Sequence, residues 1–212
     1  MLLQLALDVL SLPEALTLTE KVRDHVDIIE IGTPFLLEEG LGAVRAFREC
    51  FPDKKILADA KIADAGAYEA GQCFRAGADY VTVLGVCDLL TIAESVQTAK
   101  DYGGRIVTDM ICVPDLTKRV AELLDIGVQD IAVHTGIDQQ NVGRTPLADL
   151  KEIRACAGDA QVAVAGGITL DTVEQYRQAG ADIVICGGAI AKAPDPARAA
   201  ADLAQKIHGE TK

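Results

Sequence analysis

Eight short runs of aliphatic and β-branched residues punctuate the chain: LLQLAL, VDIIEIG, KKILADA, ADYVTVLG, GRIVTDM, VQDIAVH, AQVAVAG and ADIVICG. Their length and composition predict strands. Between them, segments such as LPEALTLTEKVRDH, LEEGLGAVRAFREC and LDTVEQYRQAG place apolar residues at helical spacing. The order is β then α, repeated eight times. An internal echo reinforces it, because RAGADYVTVLG, DIGVQDIAVHTG and QAGADIVICGG share one helix-end-to-strand pattern. Gly77, Gly127 and Gly180 stand where the helix of each copy stops, a position that favours the left-handed conformation. They lie 50 and 53 residues apart, two units of about 25 residues each.

Eight such units in 212 residues predict a single-domain (β/α)8 barrel over residues 1–212. An open doubly wound sheet also alternates strand and helix. It typically has fewer strands and often a G-x-G-x-x-G turn after the first, and no such turn is present.

Side chains alternate across a strand, so one parity of each run faces the barrel interior. That parity carries Asp8 in the first strand, Glu30 in the second, and Asp59 with Lys61 in the third. Asp109 and His134 end the fifth and sixth strands. Six ionisable groups from five strands are therefore expected to meet at the carboxyl-end rim, where barrel enzymes build their sites.

Charge narrows the partners. With 20 basic and 32 acidic side chains the net charge is −12, which opposes nucleic-acid or anionic-membrane binding through net charge. No run approaches the ~18 apolar residues of a membrane span, and the opening MLLQLALDVL is too short and too acidic for a secretory signal. The six cysteines form no C-x-x-C pair and read as reduced, buried thiols. A cytoplasmic protein is expected.

Three local patterns carry candidate chemistry. In Asp59-Ala60-Lys61-Ile62-Ala63-Asp64, carboxylates flank an ammonium, which keeps it charged and suits it to stabilising an oxyanion; a surface ion-pair network would have the same spacing. Glu30 and Asp59 on neighbouring strands make an oxygen-donor pair suited to Mg²⁺, though a carboxylate pair alone is weak metal evidence. The pairs Gly166-Gly167 and Gly187-Gly188 follow the seventh and eighth strands, where barrels commonly hold phosphate on backbone N–H groups. His134 is the histidine placed to act as a base near neutral pH.

DIIEIGTP at 27–34, LADAKIADAG at 57–66, AVHTGIDQQ at 132–140, AVAGGI at 163–168 and GGAIAKAPDP at 187–196 resemble the orotidine-monophosphate decarboxylase superfamily, which shares D-x-K-x-x-D. Within it the resemblance is nearest to the 3-hexulose-6-phosphate synthase branch. It implies a Mg²⁺-dependent lyase, usually a homodimer, that joins formaldehyde to a phosphorylated ketose, ribulose 5-phosphate. It further implies that Glu30 and Asp59 hold the metal, Lys61 stabilises an enediolate and His134 acts as base. Asp64 would reach across the dimer, Asp8 and Asp109 would meet the substrate, and the glycine pairs would hold its phosphate. The neighbouring branch, 3-keto-L-gulonate-6-phosphate decarboxylase, is the alternative. It typically has H-R-x-R-D after strand six, a glutamate at the place of Asp109 and an arginine in the last phosphate loop. This chain has HTGID, Asp109 and Gly188 there.

Overall fold

Each of the eight apolar runs forms a parallel strand in the computed structural model, which describes residues 1–208. These are β1 (Leu2–Leu7), β2 (Ile28–Ile31), β3 (Lys55–Ile62), β4 (Tyr80–Leu84), β5 (Arg105–Asp109), β6 (Asp130–His134), β7 (Gln161–Ala165) and β8 (Ile183–Cys186). They close in sequence order, with β8 pairing back onto β1, to give a single-domain (β/α)8 barrel. The last four positions of the expected span 1–212 lie outside the described residues.

The strands read as near-continuous apolar runs because both of their faces are covered. Leu3, Leu5, Leu7, Ile29, Ile31 and Val81 point outward into the main core against the helices, all fully buried. Truncating one of these leucines to alanine costs roughly 2–5 kcal/mol. The opposite parity makes a second, smaller core inside the barrel from Ile28, Leu57, Val107, Ala132, Ala163 and Ile183. Above that inner core the same parity carries the polar rim.

Helix starts and stops follow from local chemistry. Ser11 and Glu14 form a capping box ahead of helix Leu12–Val22, and Asp88 and Asp115 cap helices Leu89–Tyr102 and Leu116–Asp125 through their carboxylates. The three echoed glycines have φ of 106°, 86° and 87°, as the pattern requires. The segment LEEGLGAVRAFREC is divided, since Gly40 at φ 63° separates helix Thr33–Glu39 from helix Leu41–Cys50. Thr33–Glu39 and two more short helices, Ile137–Gln140 and Gly188–Ala191, follow β2, β6 and β8 on the carboxyl-end side. Sequence periodicity is too brief to reveal helices of four to seven residues.

Of the six cysteines only Cys73 and Cys186 are buried; Cys87 and Cys156 are half-buried, against the expectation, and Cys50 and Cys112 are exposed. The expectation of buried thiols fails furthest for the latter two: Cys50 ends a surface helix and Cys112 lies in the loop after β5, beyond the packed layers. Among the described residues, no helix is long and apolar enough to cross a membrane.

Candidate active site

A cavity of ≈ 900 Å³ opens at the carboxyl ends of the strands and runs down the barrel axis. Asp8, Glu30, Asp59, Lys61, Asp109 and His134 all line it. The alternation of side chains thus places every strand-borne site residue as the sequence predicts.

At its centre stands Lys61. Its Nζ lies 2.6 Å from Asp59 Oδ2 and 3.3 Å from Asp109 Oδ2. Burial alone would lower the lysine pKa, but the charges of Asp59 and then Asp109 outweigh it and hold the ammonium above its ordinary value. Lys61 is therefore a fixed cation at neutral pH.

Asp109 is buried, and its Oδ1 accepts the backbone N–H of Ile111 at 2.9 Å. Its Oδ2 faces His134 Nδ1 at 2.9 Å. Burial pushes this carboxyl up, whereas the His134 hydrogen bond and charge, and Lys61, pull it below its ordinary range. An ionised Asp109 accepts a hydrogen bond from Nδ1–H, which leaves the Nε2 lone pair of His134 free to act as a base. The tautomer follows from this hydrogen-bond pattern.

Glu30 is buried on β2 with Oε2 2.6 Å from Gln4 Nε2. Burial, followed by the charge of Asp59, pushes its carboxyl up to about 8. Asp59 is heavily tied: Thr82 Oγ1 donates to Oδ1 at 2.8 Å, and Thr33 Oγ1 lies 2.8 Å from Oδ2. Asp8 stands exposed at the mouth, its pKa raised by partial desolvation and by Asp59.

Two buried carboxylates whose charges oppose each other fit a hard divalent cation. Such an ion offsets their repulsion and takes oxygen donors. Among the described residues, no group of three or more His, Cys, Asp or Glu is arranged to hold a metal, so the protein offers a two-carboxylate set. Mg²⁺ accepts such a set, because it keeps several waters and substrate oxygens.

Gly166, Gly167, Gly187 and Gly188 line the same cavity, and a Cβ on Gly187 would stand 3.5 Å from Asp8 Oδ2. Gly166 has φ 128°, and a Cβ there would come within 2.8 Å of the Thr135 carbonyl oxygen, so only glycine lets the two loops approach. Helix Gly188–Ala191 begins at the second pair, and the first N–H groups of a helix have no partner within it. Lys192 follows one turn later and also lines the cavity. This end can take an anion; the other end can take a cation and polarised oxygens.

Asp64 is the exception. It is exposed, its Oδ1 accepts the Ala65 N–H at 2.7 Å, and it does not line the cavity of its own chain. Residues that sequence reasoning passed over are Gln4, Thr33, Thr82 and Lys192. Gln4 shares the parity of Asp8, and Thr82 the inward parity of Tyr80, so both were available from alternation. Lys192 lies four residues beyond Gly188, one turn along a helix that the pattern does not reveal.

Residues 1–203 match the family model described as Orotidine 5'-phosphate decarboxylase / HUMPS family. The crystal structure of 3-hexulose-6-phosphate synthase from Salmonella typhimurium is similar with a TM-score of 0.97 and 51% identity, covering 100% of both chains. The 3-hexulose-6-phosphate synthase 2 of Staphylococcus saprophyticus subsp. saprophyticus is 44% identical over 210 residues, 99% of each chain. The crystal structure of KGPDC from Streptococcus mutans has a TM-score of 0.87 at 30% identity, covering 98% of this chain and 97% of that one.

Proposed function

The chain belongs to the Orotidine 5'-phosphate decarboxylase / HUMPS family, and from that premise we propose that it is a carbon–carbon lyase joining formaldehyde to ribulose 5-phosphate. The product is 3-hexulose 6-phosphate, and the reaction runs in both directions. The full-length likeness to proteins named for that product supports this reading. The observation that carries it is the Asp59–Lys61–Asp109–His134 chain of contacts in one cavity with the glycine pairs.

The phosphate sits on the loops of Gly166-Gly167 and Gly187-Gly188 with Lys192 beside it, which places the far end of the ketose among the carboxylates. His134 Nε2 removes the proton from C1. The electron pair enters the C1–C2 bond, and negative charge builds on the C2 oxygen, where the Lys61 ammonium offsets it. C1 then bonds to the formaldehyde carbon. The formaldehyde oxygen takes up a proton, and the carbonyl re-forms at the old C2, now C3 of the hexulose. Formaldehyde needs only space beside C1; the remote phosphate contacts fix the reacting carbon.

Glu30 and Asp59 would hold Mg²⁺. When bound, the ion supplies Lewis acidity to the ketose oxygens and lowers the cost of their developing charge. The exposed Asp64, beside the exposed apolar Tyr68 and with Leu90 on the next helix, supports a homodimer in which Asp64 completes the partner's site. Six free thiols suit the reducing cytoplasm as its location.

The test is a direct assay of the full chain with ribulose 5-phosphate, formaldehyde and Mg²⁺, with 3-keto-L-gulonate 6-phosphate in parallel. Formaldehyde consumption matched by hexulose phosphate formation is expected, with little or no decarboxylation. Faster turnover of the gulonate substrate would reassign the protein to the decarboxylase branch. Lys61→Ala should lower kcat by about 10²–10³, the scale of removing one oxyanion donor.

A further inference from the structure

Strand β3 is out of step with β4 at the centre of the site. Ala58 pairs with Val81 and Ile62 with Val83, so the three residues Asp59, Ala60 and Lys61 face one, Thr82. Two extra residues in one strand form a bulge, which interrupts the ladder and redirects side chains. Lys61 takes φ 47°, a left-handed conformation that costs any residue with a Cβ. Its backbone N–H has no strand carbonyl to meet.

Thr82 supplies the missing partner. Its Oγ1 accepts the Lys61 N–H at 2.9 Å and donates its one proton to Asp59 Oδ1 at 2.8 Å. A hydroxyl has one proton and two lone pairs, so the two directions are fixed by the chemistry of the partners. The other Asp59 oxygen holds the Lys61 ammonium at 2.6 Å. A closed ring therefore runs from the Lys61 main chain through Thr82 and Asp59 back to the Lys61 side chain. Thr82 is 5% exposed and β-branched, so its χ1 is stiff and the hydroxyl has little freedom to leave.

We propose that Thr82 is a positioning residue of the reaction: its hydroxyl locks the strained Lys61 backbone to the Asp59 carboxylate and so aims the ammonium into the cavity. Thr82 acts through Lys61 and touches no reacting atom. The inference rests on the proposed condensation, and the wild-type assay in the same series separates the two: an inactive wild type sinks the reaction, an active one leaves Thr82 to be judged by its variants.

The variants are Thr82→Val, which keeps the shape and removes the hydroxyl, Thr82→Ala, which removes both, and Thr82→Ser, which keeps the hydroxyl. Expected are a fall in kcat of at least about tenfold in the valine and alanine forms, a KM for ribulose 5-phosphate within about twofold, and a serine form within about threefold of wild type. Hydrogen exchange at the Lys61 amide gives a readout independent of turnover. It should quicken at least about tenfold in the valine and alanine forms and stay slow with serine. If the valine form does not fold, the alanine–serine pair decides. Hydroxyl-free variants with wild-type kcat, a serine form as impaired as valine, or a loss confined to KM would overturn the proposal.

Discussion

The Nδ1 of His134 lies 2.9 Å from Oδ2 of Asp109, the same oxygen that stands 3.3 Å from Lys61 Nζ. One buried carboxylate thus contacts both the imidazole and the ammonium. Asp109→Asn keeps the shape but offers an amide where an anion stood. The expected result is a drop in kcat of about 10² or more, since a neutral partner no longer fixes the imidazole tautomer. Steady-state kinetics at matched pH checks this, and a variant with wild-type kcat would remove Asp109 from the mechanism.

Lys192 should act on binding alone. Its Cδ lies 3.8 Å from where a Cβ on Gly188 would sit, so its cation flanks the last glycine pair. Lys192→Ala is expected to raise KM for ribulose 5-phosphate about tenfold or more and to leave kcat within about threefold, the signature of lost uniform binding. A large kcat loss with unchanged KM would move Lys192 away from the phosphate.

Glu30 makes the metal-free protein sensitive to pH. Its folded-state pKa of about 8 exceeds the ordinary 4.5, so between these values the native state holds a proton that the unfolded chain releases. Stability therefore falls as pH rises through that window. Mg²⁺ needs the ionised carboxylate, so millimolar MgCl₂ should raise Tm more above pH ~8 than near pH ~6. Glu30→Gln should abolish the difference. Equal Tm shifts at both pH values in the wild type would place the ion elsewhere.

Subunit complementation tests Asp64. Lys61→Ala and Asp64→Ala proteins, each inactive alone, are co-expressed so that dimers form at random. Action across the interface leaves one intact site in each mixed dimer, so about a quarter of wild-type activity returns. Action within the chain returns none.

The barrel and its rim were legible because one rule, alternation along a strand, governs both. It placed Asp8, Glu30, Asp59, Asp109 and His134 inward with no knowledge of their contacts. Lys61 shares that inward parity, but alternation gives no sign of the bulge that sets its φ at 47° and leaves Asp59, Ala60 and Lys61 facing Thr82 alone. The contacts themselves were hidden. Asp109 with His134 and Lys61, or Thr33 with Asp59, join residues separated by 25 to 48 positions, and spacing fixes no distance between them. The short rim helices escaped for another reason, since a four-residue segment has no period.

The bulge also sets a rule for grafting parts of this barrel into barrels that lack Asp-x-Lys on their third strand. A β3 carrying Asp-x-Lys would arrive in a foreign host with surplus length, and an ordinary β4 there would leave the lysine main chain unsupported. A chimera exchanging either strand alone should therefore fold around a misdirected ammonium, whereas a graft that transfers Lys55–Ile62 together with Tyr80–Leu84 keeps its aim.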